Sequence, residues 1–173
     1  KVPTIMNVAR DYTNVEIPTL CYLEGISEEG ACAVCMVEGK GARTLERACV
    51  TKVGGGMEVC TNTSRVREAR KLNVELLLAN HPKDCFTCEK NQICELRKLA
   101  AGLGVREVEF PRTRKEWLPF DETSLSLVRD PNKCILCRRC VNVCAKVQSV
   151  NAIDIVGRGS NSMVSTFLDE GLG

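Results

Sequence analysis

Aromatic side chains are scarce: 4 Phe, 2 Tyr and 1 Trp in 173 residues, so a core built on ring packing is excluded. No apolar run approaches the ~20 residues that a membrane-spanning helix needs. The densest stretch, residues 74–79, carries Glu75 inside it. A surplus of one charge is missing too, since 24 Lys and Arg face 22 Asp and Glu for a net charge of +2. A nucleic-acid partner would need basic residues concentrated on one face, and the arginine pairs here are scattered. No basic, apolar leader is visible at the opening Lys-Val-Pro-Thr, which predicts no export and a reducing, cytoplasmic compartment. Histidine occurs once. With 44% hydrophobic residues, the chain has material enough to fold, which excludes disorder as its main description.

Cysteine is what the sequence has in excess, with 12 copies. Disulfide scaffolds are short, secreted chains that use cystine in place of a core. These cysteines instead fall into three tight groups with two-residue gaps, and thiols in a C-x2-C pair point at a common centre. Cys21, Cys32, Cys35 and Cys49 form the first group. His81, Cys85, Cys88 and Cys94 form the second, as H-x3-C-x2-C-x5-C. Cys134, Cys137, Cys140 and Cys144 form the third, as C-x2-C-x2-C-x3-C. Cys60 is left over, and the expectation for it is a small buried hydrophobe on a strand.

Periodicity supplies the frame. Ile5, Val8, Ala9 and Tyr12 repeat at helical spacing behind Pro3 and Thr4. Short strands are expected at Ala33–Val37, Arg47–Val50 and Met57–Thr61 between glycines. A second helix is expected from Ser64, as its cap, to Asn80, with Val66, Ala69, Leu72, Leu76 and Ala79 on its apolar side. Arg65, Arg67, Arg70 and Lys71 would be its wet face. Pro82 stops it and leaves His81 at the exit, near Cys85 and Cys88. A third helix over Gln92–Leu103 would present Ile93, Leu96, Leu99, Ala100 and Leu103. Residues 105–130 read as a surface connector anchored by Trp117. Beyond it come a strand at Leu127–Arg129, a cysteine loop, a helix from about Val141, a strand at Ile153–Val156 and an ending without signal. No repeat of fixed period is present.

The third group is the most specific. In bacterial ferredoxins the run C-x2-C-x2-C-x3-C-P wraps three cysteines round one [4Fe-4S] cluster and sends the fourth to another. Cys134, Cys137 and Cys140 would hold one cluster, and Cys144 would serve a second; Ala145 stands in place of the proline. No second copy of the run follows, so the chain is expected to continue past Gly173. The first group departs from the plant-type spacing C-x4-C-x2-C, and on spacing alone it could also hold zinc. Gly25, Gly30 and Gly39 would bring backbone N–H groups to cluster sulfurs. A Cys3His zinc knuckle is the alternative for the second group. As an iron ligand, His81 would remove one negative charge relative to thiolate and raise the cluster's potential. Arg138 and Arg139 would offset cluster charge, line a docking face, or simply be solvated.

Taken in order, the groups resemble the N-terminal iron–sulfur region shared by [FeFe]-hydrogenases and the large iron–sulfur subunit of respiratory complex I. The resemblance is carried by Ile17-Pro18-Thr19-Leu20-Cys21-Tyr22, Gly30-Ala31-Cys32-Ala33-Val34-Cys35, Glu75-Leu76-Leu77-Leu78, Asn80-His81-Pro82-Lys83-Asp84-Cys85 and Asp130-Pro131-Asn132-Lys133-Cys134. It implies an α+β chain in three parts. Residues 1–62 would be a plant-type [2Fe-2S] ferredoxin-like (β-grasp) domain lacking its first hairpin, and 63–110 a small His-ligated [4Fe-4S] helical domain. After a connector at 111–125, residues 126–173 would form half of a bacterial-type 2[4Fe-4S] ferredoxin-like domain. The implied ligands are Cys21, Cys32, Cys35 and Cys49 for [2Fe-2S], His81, Cys85, Cys88 and Cys94 for the second cluster, and Cys134, Cys137 and Cys140 for the third, with Cys144 serving a fourth. The implied function is an electron wire in a multi-subunit NAD(P)-linked oxidoreductase of hydrogenase type, with electron bifurcation within its range. No residues for substrate chemistry are present. Implied partners are a flavin/NAD(P)-binding diaphorase-type subunit, other iron–sulfur subunits and ferredoxin. Formate dehydrogenase, complex I-like and transhydrogenase parents fit the same pattern, and a zinc-stabilised interaction module is the competing class.

Overall fold

The computed structural model describes residues 2–114, 116–166, 168, 170 and 171. Gly173, where the chain is expected to continue, lies outside the described residues. The first helix, α1, spans Ile5–Tyr12, and Thr4 caps it reciprocally: its hydroxyl oxygen accepts from the Asn7 amide while the Asn7 side chain accepts from the Thr4 amide. Its buried face is Ile5, Met6 and Ala9, whereas Tyr12 is exposed. Behind it lies a three-stranded antiparallel sheet of β1 (Met36–Gly39), β2 (Leu45–Arg47) and β3 (Val59–Cys60), in the order β2-β1-β3. The expected strands shift because Ala33 has φ +50, which no strand accommodates. Residues 48–50 turn away after β2 to bring Cys49 inward.

Helix α2 covers Ser64–Ala79, and its cap is Thr63, one residue earlier than expected. The Thr63 hydroxyl accepts from the Val66 amide and donates to Glu38. The buried stripe is Val66, Arg70 and Val74, spaced by four, while Leu72 and Leu76 are exposed. Arg70 corrects the expected wet face: its guanidinium donates twice to the Met36 carbonyl, at 3.2 and 2.7 Å. Burial pushes its pKa down. A sheet-end carbonyl facing a helix needs a donor, and Arg70 supplies it. Helix α3, Glu95–Gly102, is shorter than expected because Cys94 caps it, accepting from the Arg97 amide at 3.4 Å. Ile93 is consequently exposed and Leu96 and Ala100 are buried.

The connector is anchored by Asn80 rather than by Trp117. The Asn80 side chain bonds Thr113 and the Arg114 amide, and Asn132 exchanges two bonds with the Leu118 backbone. Trp117 is half exposed under the Arg112 guanidinium. In place of a strand at Leu127–Arg129 there is one bridge, Asp121 with Arg129. Helix α4, Arg139–Lys146, follows the last cysteine loop, and β4 (Ile153–Val156) pairs antiparallel with β5 (Met163–Thr166), a strand without a signal in the sequence. Cys60 lies on β3 as expected but is exposed. No helix is long and apolar enough to cross a membrane among the described residues.

Candidate iron–sulfur centres

The first four cysteines converge. Cys21, Cys32, Cys35 and Cys49 are all at most 5% exposed and none forms a disulfide. Two apolar cores divide them. Cys35 and Cys49 pack with α1, Ile17 and Val37, and Cys21 and Cys32 with Leu20, Val34, Val74 and Leu96. The Cys35 and Cys49 sulfurs lie 3.3 Å apart, and Cys21 Sγ accepts the Cys32 amide at 3.5 Å. Donation from the Cys32 and Cys49 thiols pulls Cys21 down to about 2, and the Cys49 thiol pulls Cys35 down to about 7. The crowded donors Cys32 and Cys49 are pushed up in turn. Four buried thiols, with the Arg70 guanidinium close enough to Cys35 to act on it electrostatically, form an electron-rich nest whose charge a two-iron centre would partly offset. The pairing into two and two suits two irons.

The second set gathers round a cavity of about 420 Å³ lined by His81, Cys88 and Cys94, together with Cys137 of the third set. Cys85 is half-buried and does not line it. His81 Nδ1 is 2.9 Å from the Pro82 carbonyl oxygen. A carbonyl only accepts, so Nδ1 is the donor in this bond and Nε2 is the nitrogen left to face a metal. Pro82 thus does more than end the helix: its carbonyl occupies Nδ1 and orients the ring, as a partner of a metal-ligating histidine does.

In the third set, desolvation pushes Cys134 and Cys140 up, with repulsion from Cys137 adding to both. These two residues are exposed as a whole, so it is their sulfurs that sit among neighbouring atoms. Cys144 Sγ accepts the Ala152 amide at 3.2 Å, and Cys134 Sγ accepts the Leu136 amide at 3.4 Å. Non-glycine residues with positive φ mark the loops: Ala33 between Cys32 and Cys35, Leu136 between Cys134 and Cys137, and Arg138 between Cys137 and Cys140. Such strain, about 1–3 kcal/mol each, collects at sites that must turn backbone amides inward. No residue pattern signals it. Among the described residues no group of three His, Cys, Asp or Glu could hold a single metal ion. A cluster spreads its ligands over several irons, and this donor set of thiols, one imidazole and inward amides fits it.

Three family models match in succession. Residues 3–64 match the 2Fe-2S iron-sulfur cluster binding domain, and 70–109 the NADH-ubiquinone oxidoreductase-G iron-sulfur binding region. Residues 126–173 match the ferredoxin-like domain of NADH-quinone oxidoreductase subunit 3. The NADP-reducing hydrogenase subunit HndD of Solidesulfovibrio fructosivorans is 41% identical over 94% of this chain and 28% of its own length. The chain therefore carries, in order, iron–sulfur domains of the kind found in NADH oxidoreductases and is similar to a hydrogenase subunit. It carries a match to a [2Fe-2S] cluster-binding domain, followed by matches to an iron–sulfur binding region and a ferredoxin-like domain, so both [2Fe-2S] and [4Fe-4S] clusters are its cofactors. Two further matches agree. The NADH-ubiquinone oxidoreductase 75 kDa subunit of Reclinomonas americana is 33% identical over 90% of this chain and 22% of its own. A crystal structure of an NAD+-reducing [NiFe]-hydrogenase in the H2-reduced state superposes with a TM-score of 0.87 at 27% identity, over 98% of this chain and 73% of that one. The chain thus spans less than a third of these two curated relatives, and its fold is a small α+β one with ferredoxin-like iron–sulfur domains.

Proposed function

We propose that this chain relays single electrons inside a cytoplasmic, multi-subunit NAD(P)-linked oxidoreductase of hydrogenase type. Cys21, Cys32, Cys35 and Cys49 would hold the [2Fe-2S] centre. His81, Cys85, Cys88 and Cys94 would hold one [4Fe-4S] centre, and Cys134, Cys137 and Cys140 another, with Cys144 reaching a further one. The corresponding parts are 1–62, a β-grasp-like domain, 63–110, a connector at 111–125, and 126–173.

One observation carries the reading: cysteines of all three groups meet in a single apolar core. Cys21, Cys32, Cys94 and Cys137 pack with Leu20, Val34, Val74, Leu96 and Ala100. A zinc scaffold needs its metal sites only where each stabilises its own loop. A relay needs them adjacent and dry, and the Cys21–Cys32 side of the first centre is the side that faces the others. The clusters, when bound, supply one-electron chemistry with little rearrangement. The chain supplies burial, spacing and N–H donors to sulfur. Partners of matching chemistry are a flavin/NAD(P)-binding diaphorase-type subunit, other iron–sulfur subunits and ferredoxin, and a bifurcating parent fits. The relatedness to an NADH-ubiquinone oxidoreductase supports a complex I-like parent as the second reading.

In the complete protein, Cys32→Ala is expected to remove the [2Fe-2S] paramagnetic signal and to leave the [4Fe-4S] signals in place. Loss of every signal at once, in a protein that still folds, would contradict separate centres.

A further inference from the structure

Arg139 stands where the three groups meet. It precedes Cys140 and begins α4, yet its side chain serves the other two groups. Nη1 donates to the Glu95 carboxylate at 2.9 Å, next to Cys94, and Nη2 to the Tyr22 carbonyl at 3.2 Å, next to Cys21. Its Nε is buried and has no hydrogen-bond partner among the described residues. The same side chain lines the 420 Å³ cavity with His81, Cys88, Cys94 and Cys137. An orphaned buried donor costs about 1–3 kcal/mol, a cost that an acceptor in that cavity would relieve. Lys133, also on the cavity wall, lies within 4 Å of Asp84 and Asp130, and its charge is shared with them. Among the described residues Arg139 pairs with one carboxylate, Glu95, which is 58% exposed and partly screened by water.

We infer that Arg139 is the charge-tuning residue of the centre held by His81 and Cys94. Its guanidinium and its free Nε–H favour the reduced cluster, which carries one more negative charge, and Glu95 opposes it. The inference rests on the proposed ligand assignment. The step it acts on is the gain of one electron from a donor such as dithionite, with no bond made or broken and no proton moved. Because Arg139 also holds the Tyr22 carbonyl, it links the first centre to the second mechanically, so loss of charge and loss of fork must be separated.

The test is a redox titration of the complete protein, purified anaerobically and read by the paramagnetic signal of the reduced centre. Arg139→Gln, which keeps hydrogen-bonding capacity and drops the charge, is expected to lower the potential. Glu95→Gln is expected to raise it. Each shift should change the ratio of oxidised to reduced cluster at fixed poise by about threefold or more, where tenfold is 59 mV for one electron. Arg139→Lys should lie nearer the unsubstituted protein than Arg139→Gln does. A structural role alone would not give shifts of opposite sign, so shifts of the same sign, or none, overturn the inference. If Arg139→Gln loses the cluster, Glu95→Gln decides: a raised potential supports the inference, and an unchanged or lowered one overturns it. If the unsubstituted protein lacks the second centre altogether, the ligand assignment falls, and this inference with it.

Discussion

His81 shows how a single backbone bond selects chemistry. With Nδ1 committed to the Pro82 carbonyl, Nε2 is the nitrogen left to donate. Replacing a neutral imidazole by thiolate adds a negative charge beside the centre, which disfavours reduction. His81→Cys is therefore expected to lower the potential of the second centre, and a redox titration giving an unchanged or higher value would count against His81 as ligand. Arg70 illustrates the opposite case, a charge committed to structure. Removing its donors from the Met36 carbonyl leaves a buried acceptor unpaired. Arg70→Met should destabilise by about 1–3 kcal/mol, measured by denaturant unfolding, with the cluster spectra of the folded protein unchanged. Both residues stand out in the sequence as polar, but only His81 has a ligand pattern around it. Arg70 looks like its neighbours Arg65 and Arg67, because helical spacing reports a face and not what stands opposite it.

Among the elements, α2 links cap and sheet. Thr63 accepts at the helix start and donates to Glu38, whose carboxyl is held below its ordinary value by that hydroxyl first and by Arg65 second. Thr63→Ala is expected to cost about 1 kcal/mol, whereas Ser64→Ala, at an exposed position one residue on, should stay within about 0.5 kcal/mol. Equal losses in thermal unfolding would put the cap back at Ser64. The sign of the pH effect follows from the lowered carboxyl: its contribution is present above the ordinary carboxylate value and fades as pH falls through the folded one. A second element-scale test concerns the hairpin β4–β5. Gly157 has φ +78, and a Cβ there would lie 2.5 Å from the Asn161 carbonyl oxygen. Gly157→Ala should destabilise by more than the ~1 kcal/mol of an ordinary Gly substitution. Helix existence and type were legible in the sequence for α1 to α4. Boundaries were not, since Cys94 and Thr63 cap through contacts that a pattern cannot display. Strand β5 lacked a signal because it is defined by its partner β4.

At the scale of the molecule, the cysteine spacing pointed to the convergence of Cys21, Cys32, Cys35 and Cys49, and it could not predict that cysteines of all three groups meet in one core. That sharing arises from long-range contacts. Arg138 and Asn142 of the last segment bond Glu29, and Asn142 also reaches Ser27, in the loop between Cys21 and Cys32. Lys146 adds a bond to the Ile26 carbonyl. Cys144 and the surplus Cys60 take no part in that core. What the gathered thiols carry decides between a relay and a scaffold. The most direct measurement is the visible absorption spectrum of the anaerobically purified protein, with iron and acid-labile sulfide counted on the same sample. A brown protein containing both, and bleached by dithionite, is the expected result. A colourless protein loaded with zinc, unchanged by dithionite, would contradict the electron relay.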